Sequence, residues 1–202
     1  MEVRVVRDSS ILLPGETLDE VPTLGHLPGD GDVVSQQLVT GDSWARTQLS
    51  DVSVNGCWLV NANLGSTNLR DVTFDRCVFR GSTLVGSTWS NVVLRNVLFE
   101  DCRLDYATIQ RARTAGPCGF VRCSLVETTV QQSTVTNATF DACRFAGTLV
   151  VDSDLRGADL RGNDLSGLIG VATLGGITIG EDQLPGLTEA LVRDLELRVV
   201  AP

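Results

Sequence analysis

The sequence contains no lysine and a single histidine, His26, so the side chains that most often act as catalytic amines or bases are absent or isolated. It has neither a phosphate-binding glycine loop nor the GxSxG signature of a nucleophile elbow. Isolated serine, threonine and aspartate residues are abundant, but such residues are typical of turns and solvated surfaces. We therefore expect a protein that is not an enzyme and that needs no cofactor.

Long apolar runs are also missing. No segment approaches the roughly 20 residues that cross a membrane, and the first eight residues lack the apolar core of a signal peptide. The chain has 202 residues and 43% hydrophobic content, enough for one continuous core. These features predict a single cytoplasmic domain or solenoid without membrane association.

What the sequence does contain is a large apolar residue at every fifth position, from Leu49 to Ile109 and again from Phe120 to Leu165. Two residues before each of these lies a small side chain. A period of five does not fit the 3.6 residues of a helical turn. Positions two apart face the same side of a short strand, and the other three residues must turn a corner. Repetition of such a unit predicts a solenoid.

Individual units carry a more specific signal. Ala62-Asn63-Leu64-Gly65-Ser66 and Ala158-Asp159-Leu160-Arg161-Gly162 match the A(D/N)LXX repeat, and the sequence thereby resembles the pentapeptide-repeat family. The resemblance implies an all-β fold, a right-handed quadrilateral β-helix with four pentapeptides and twenty residues in each coil, followed by a short C-terminal helix. The expected division is a non-repetitive acidic segment at 1–43, the β-helix at 44–180 and a capping or dimerisation helix with a tail at 181–202.

The register of the repeat breaks once, at residues 113–117. Eleven residues separate Ile109 from Phe120 where two units would take ten, which predicts one inserted residue in the form of a bulge. With that correction, residues one coil apart should stack in two core columns. The first contains Leu59, Phe79, Phe99, Phe120 and Phe140, and the second contains Leu64, Leu84, Leu104, Leu125 and Phe145.

All six cysteines occupy the smaller inward position of a unit. They are Cys57, Cys77, Cys102, Cys118, Cys123 and Cys143. Free cysteine packs as a small hydrophobe, and a cytoplasmic compartment disfavours disulfides, so we expect reduced, buried thiols. The sequence has no CxxC pair, and Asp30-Gly31-Asp32 lacks the other ligands of a calcium loop, so no metal site is predicted.

Three successive coils place an apolar residue at the outward position of one face, namely Trp58, Val78 and Leu98. An exposed apolar stripe of this kind needs a partner. Two interpretations are open: the stripe is a protein interface, or the N-terminal segment lies over it. The apolar residues of that segment also suit it to covering the end of the solenoid.

The C-terminal region changes period. Strict register is lost between Leu168 and Ile179, and Leu184, Leu187, Leu191 and Leu195 then recur at helical spacing. Such a helix should cap the last coil. In some relatives a similar element also makes a head-on dimer, so the resemblance implies a homodimer through the tail as a second role.

The resemblance also implies a function. Members of the Qnr and MfpA type bind DNA gyrase and protect it from quinolones, acting as a duplex-like rod in the DNA-binding saddle of the topoisomerase. A protein partner, DNA gyrase, is therefore expected, and no direct nucleic-acid binding. The same mechanism could serve a producer organism that protects itself against a gyrase poison.

Charge gives the DNA-mimic hypothesis little support. Residues 44–165 carry twelve acidic and twelve basic side chains, whereas residues 1–43 and 166–202 have net charges of −6 and −3. About six coils at ~4.8 Å span roughly 29 Å, over which duplex DNA carries about seventeen negative charges. Mimicry would have to rely on local patches, the acidic ends or a dimer. The alternative function is a scaffold module that binds another cytosolic protein through Trp58, Val78 and Leu98.

Overall fold

The computed structural model describes residues 2–41 and 44–200. The strands in these residues are β1 (Val3–Val6), β2 (Ser9–Leu12), β3 (Val33–Ser35), β4 (Leu38–Gly41), β5 (Gln48–Ser50), β6 (Ser53–Asn55), β7 (Trp58–Ala62), β8 (Asn68–Arg70), β9 (Thr73–Arg80), β10 (Thr88–Ser90), β11 (Val93–Glu100), β12 (Thr108–Gln110), β13 (Arg113–Thr114), β14 (Cys118–Val121), β15 (Thr129–Gln131), β16 (Ala138–Asp141) and β17 (Leu149–Val151). Short 3₁₀ turns at Val171–Thr173 and Glu181–Gln183 precede helix α1 (Leu184–Asp194). No helix in these residues is both long and apolar enough to span a membrane.

Two parallel sheets form the walls of a solenoid of about six turns. One sheet has six strands in the order β17-β15-β12-β10-β8-β5, and the other has nine. Each strand pairs with the strand one coil away, so that Leu69 is opposite Trp89 and Trp89 is opposite Ile109. The predicted all-β solenoid with one short C-terminal helix is confirmed.

The interior consists of columns of stacked side chains. The rings of Phe79, Phe99, Phe120 and Phe140 stack with centroid separations of 4.5, 4.7 and 4.8 Å. Leu59 extends this column and is fully buried. The column on the next face is buried along its whole length and comprises Leu64, Leu84, Leu104, Leu125 and Phe145. Every coil therefore buries the same positions against the coils on either side.

The smaller inward residues also carry hydrogen bonds between coils. Ser82 Oγ donates to the carbonyl of Leu59 at 2.9 Å, and Cys77 Sγ donates to the carbonyl of Val54 at 3.3 Å. In both cases the acceptor lies 23 residues earlier, at a large residue of the preceding coil. A buried carbonyl needs a donor, and a small hydroxyl or thiol supplies it without filling the core. This explains why serine, threonine and cysteine recur at a position that apolar packing alone would give to alanine.

The corners of the solenoid use left-handed backbone. Asn91, Asp101 and Arg111, for example, have φ of 58°, 55° and 51°. Asparagine, aspartate and glycine tolerate this region, and β-branched side chains do not. No valine, isoleucine or threonine is found among the positive-φ residues of the described chain.

The one-residue insertion lies between β13 and β14. Val93 pairs with Arg113 and Leu94 with Thr114, but Val97 pairs with Cys118. The pairing offset therefore increases from 20 to 21 residues across Ala115-Gly116-Pro117. The core columns resume on the far side, where Phe99 is opposite Phe120.

The first coil begins before residue 44, which corrects the expected boundary of the non-repetitive segment. Strand β3 pairs in parallel with β6, with Val33 opposite Ser53, and β4 pairs with β7. The period of large residues extends back through Trp44 and Val39 to Val34, and all three are buried. The repeat pattern did not predict this coil, because the positions two residues before Val34 and Val39 hold Asp32 and Gln37 and not small side chains.

Candidate protein-binding surfaces

The N-terminal residues 2–24, here called the strap, cover one side of the solenoid. The strap starts with the antiparallel hairpin β1–β2, and its residues Val6, Ile11, Leu13 and Val21 pack on the outward apolar stripe. Trp58, Val78 and Leu98 are consequently only 5%, 0% and 1% exposed. The predicted partner interface at these three residues is therefore wrong, because the chain buries the stripe itself. The scaffold function that depended on this stripe loses its surface.

A glycine makes room for the strap. Gly119 occupies the same outward column as Leu98, and a Cβ atom there would lie 2.6 Å from Cδ1 of Ile11. Ile11 itself is fully buried. A methyl group at position 119 would force the Ile11 side chain to move, and a larger side chain would have to displace the hairpin, so glycine at this position lets the strap lie close to the solenoid.

Polar contacts fix the strap along the length of the solenoid. Trp58 Nε1 donates to the carbonyl of Glu16 at 3.0 Å, near one end of the strap. At the hairpin tip, Arg7 pairs with Asp141 at 2.5 Å and Asp8 pairs with Arg161 at 2.7 Å. The strap therefore runs along a side from the coil of Trp58 to the coil of Arg161. Of the two expectations for the N-terminal segment, the one that places it over the apolar stripe agrees with the structure, and the one that places it over the end of the solenoid is corrected.

Glu100 links the strap to the middle coils. Glu100 is 8% exposed, and its carboxylate forms ion pairs with Arg4 of the strap at 3.3 Å, with Arg80 at 3.1 Å and with Arg122 at 3.5 Å. Arg80 also lies over the Trp58 ring at 5.6 Å. A buried carboxylate is tolerated when it is paired in this way. None of these long-range partners is encoded in a local motif, and sequence reasoning missed them.

On the open sides of the solenoid, carboxylates are largely neutralised by nearby arginines. Arg122 makes two hydrogen bonds to Asp101 at 2.7 and 2.8 Å and lowers the pKa of that carboxyl. The guanidinium of Arg156 lowers the pKa of Asp154 to about 2. Paired charges of this kind present both signs to a partner and leave no uninterrupted acidic stripe.

Helix α1 closes the C-terminal end of the solenoid. Ala190 is fully buried, and Leu187 and Leu191 pack against the core. Gln183 Nε2 donates to the carbonyls of Leu160 and Asn163 at 2.8 and 2.6 Å. The helix thus supplies apolar cover, and the 3₁₀ turn before it supplies donors to the last coil, as a cap must.

The leucine stripe predicted for this helix divides between two environments. Leu187 and Leu191 are partly buried, but Leu184 and Leu195 are 50% and 53% exposed. The physical reason is that Asp194 accepts bonds from the amides of Gly170 and Val171 at 2.6 and 2.7 Å, which fixes the inward face. The outer face continues into an exposed apolar tail that includes Leu197, Val199 and Val200.

The six thiols are all unpaired and buried. Cys102, Cys123 and Cys143 occupy one column, and Cys57 and Cys77 are neighbours in another. Burial raises the pKa of the Cys118 thiol to about 12. Within residues 2–41 and 44–200, no three His, Cys, Asp or Glu side chains are grouped so that they could hold a metal ion.

We expect these thiols to be slow to react in the native protein. A thiol reagent needs access to the sulfur atom, and burial removes that access at all six positions. Labelling should be complete for all six cysteines after denaturation and should follow the unfolding rate under native conditions. Rapid native labelling at Cys102 or Cys123, located by peptide mass spectrometry, would contradict this expectation.

Comparisons with known proteins agree with the architecture. The protein-family model described as pentapeptide repeat region matches residues 39–109, and the family model described as pentapeptide repeats (8 copies) matches residues 138–168. The chain belongs to the pentapeptide-repeat family. No curated protein sequence matches it.

One similar solved structure is a trypsin-treated variant of QnrB1, described as a plasmid-mediated fluoroquinolone resistance protein. It is 13% identical with a TM-score of 0.41, and the match covers 85% of this chain and 100% of that chain. HetL, a pentapeptide repeat protein involved in heterocyst differentiation regulation in Nostoc sp. strain PCC 7120, is 15% identical with a TM-score of 0.31, over 72% of this chain and 79% of that one. Rfr23 of Cyanothece 51142 is 20% identical with a TM-score of 0.31, over 64% and 88%. Likeness at this level carries no argument about function.

Proposed function

We propose that this protein is a non-catalytic binding rod whose partner is the cytoplasmic enzyme DNA gyrase. Proteins of this family are generally structural or binding proteins. The observation that carries the proposal is the continuous stack of parallel β coils, closed at its C-terminal end by α1 and stiffened along one side by the strap. Such a rod presents flat, rigid faces to a groove and loses little conformational entropy on binding.

Shape, not net charge, supports a position in the DNA-binding saddle of the enzyme. Several acidic residues of the open faces are paired with arginines, as at Asp101–Arg122 and Asp154–Arg156. A mimic of duplex DNA that relied on charge would need carboxylates without such partners. We therefore propose that the rod competes with DNA by occupying the same space, and that its affinity for gyrase falls only weakly as salt increases.

A supercoiling assay tests this function. In a titration with this protein, purified gyrase should lose supercoiling activity or resist a quinolone. The protein concentration that gives half of the effect should change only slightly when the salt concentration is raised from about 50 to about 200 mM. The Phe99→Leu variant, which we expect to fold and which changes no surface residue, is the control and should act on gyrase as the wild type does. The absence of both effects, together with no binding of gyrase in a pull-down, would overturn the proposal.

The exposed side of α1 supports a second proposal, a homodimer through the C-terminal end. Leu184 and Leu195 are eleven residues apart, which is about three helical turns, and they therefore lie on one outward face. Together with Leu197 of the tail they form an apolar surface that a second copy of the chain could bury.

We expect Leu184→Glu combined with Leu195→Glu to convert a dimer into a monomer at micromolar concentration, measured by light scattering. The fold should persist because neither side chain packs on the core. Glu189→Lys, also exposed on α1 but on a different face, is the control and should stay dimeric. A wild-type protein that is already monomeric at this concentration would refute the dimer.

A further inference from the structure

One corner of the solenoid differs from the others in the residue it carries. Successive coils turn this corner with left-handed backbone at Arg46, Ser66, Gly86, Tyr106, Glu127 and Gly147, with φ between 51° and 70°. Tyr106 has φ of 60° and is the single aromatic among the positive-φ residues of the described chain. Bulky side chains are rare in this region because Cβ crowds the backbone, so asparagine or glycine would be more stable there. The left-handed backbone is shared by this corner in every coil, so what distinguishes Tyr106 is its aromatic side chain.

Exposure sets Tyr106 apart as well. Its side chain is 56% exposed, whereas the six phenylalanines and three tryptophans of the described chain are all buried. Gly86, at this corner in the preceding coil, has no side chain, and the ring of Tyr106 projects from the edge of the rod beside Glu127 of the following coil. A projecting aromatic with a phenolic hydroxyl suits an apolar pocket that has a polar end.

The backbone that carries the ring is held firmly. Asp105 is 6% exposed and accepts hydrogen bonds from Ser124 Oγ at 2.5 Å, from the amide of Val126 at 3.1 Å and from Arg103 Nε at 3.2 Å. The amide of Tyr106 donates to the carbonyl of Val126 at 2.9 Å. A rigid tyrosine loses little freedom on binding, which is why this residue type dominates the energetic centres of interfaces.

We propose that Tyr106 is the anchor of the binding face of the rod and inserts into an apolar pocket on the partner protein. This inference rests on the proposed function, with gyrase as the partner. A protein pocket fits better than stacking on single-stranded nucleic acid, because Glu127 occupies the next corner and the chain has a net charge of −9. A base-stacking platform would need a basic groove beside the ring.

The test compares Tyr106→Asn with Arg46→Asn. Arg46 turns the same corner with φ of 55° and is exposed, so it matches Tyr106 in backbone strain. Both variants should keep or raise the melting temperature, because asparagine tolerates left-handed backbone. Binding to purified gyrase, measured by surface plasmon resonance, should weaken about thirtyfold for Tyr106→Asn and by less than about threefold for Arg46→Asn. Tyr106→Phe should retain most of the affinity.

The outcomes separate the two proposals. If the wild type binds gyrase and Tyr106→Asn binds equally well, the anchor is refuted and the proposed function stands. If the wild type does not bind gyrase, the proposed function fails and the anchor fails with it. A labelled single-stranded oligonucleotide is titrated in parallel. Binding of that probe that disappears in Tyr106→Asn would overturn the assignment of a protein pocket.

Discussion

Replacing Phe99 with aspartate should abolish cooperative unfolding of the protein. Phe99 is fully buried between Phe79 and Phe120, at centroid separations of 4.5 and 4.7 Å, and Trp89 lies 6.0 Å away. A carboxylate in this column would have no partner and no route to water. Burying it costs several kcal/mol even after its pKa shifts, which is comparable to the whole stability of a typical domain, about 5–15 kcal/mol.

Thermal melts followed by far-ultraviolet circular dichroism would measure this effect. Phe99→Leu is the matched control, because it keeps an apolar side chain at the same place in the stack. The control should melt cooperatively at a lower temperature, with a loss on the order of 1–3 kcal/mol for the shorter side chain and the lost ring contacts. A soluble Phe99→Asp protein with a sharp melting transition would mean that the core columns are assigned wrongly.

Replacing Gly119 with leucine should displace the strap and expose the apolar stripe beneath it. The Cβ atom would lie 2.6 Å from Cδ1 of the fully buried Ile11 and 3.4 Å from Cδ1 of Leu98, and the remaining leucine atoms would then need the space that the hairpin occupies. We expect unfolding free energy to fall by about 3 kcal/mol or more, because the displaced strap no longer covers its partners. Tryptophan fluorescence should shift to the red, since Trp58 becomes hydrated while Trp44 and Trp89 stay inside the solenoid.

A smaller pair of substitutions tests the same contact. Gly119→Ala adds the clashing atom, and Ile11→Val removes the Cδ1 methyl that it meets. The double variant should be more stable than Gly119→Ala alone, with a favourable coupling energy in the double-mutant cycle. Gly175→Leu provides the control, because a Cβ atom added at Gly175 would meet no atom within 4 Å. Equal fluorescence for Gly119→Leu and the control would refute the role of Gly119.

The core could be read from the sequence because its information is local and repeated. A unit of five residues specifies two inward side chains, and twenty-residue spacing then brings Phe79 beside Phe99 without further information. The insertion was visible for the same reason, as a change of phase between Ile109 and Phe120. A one-dimensional period is sufficient for a fold in which each coil contacts only its neighbours.

The strap could not be read in this way. The contact of Arg4 with Glu100 spans 96 residues and that of Asp8 with Arg161 spans 153, and no period connects them. The sequence showed an apolar stripe that needed cover but did not identify what covers it. Tyr106 is the single tyrosine of the sequence and lies at a corner position of the repeat, so the sequence could have pointed to it. The left-handed backbone that makes it unusual is visible only in the structure.

The C-terminal leucines illustrate another limit. Four leucines at helical spacing predict a helix, and α1 forms there. Which of them turn inward depends on the hydrogen bonds of Gln183 and Asp194 with the last coils. Polar side chains at the ends of the helix therefore decide its rotation, and an apolar pattern alone does not contain that information.

The strap also dictates an order of assembly. Its residues leave the ribosome before the coils do, yet Arg7 and Asp8 find their partners only when Asp141 and Arg161 have been synthesised. The coils between them can stack one on another as they emerge, because each needs only its predecessor. Closing so long a loop before its contacts form is entropically unfavourable and slow. The strap is thus synthesised before the coils but docks after them, and until then the growing solenoid exposes its apolar stripe to chaperones or neighbouring chains.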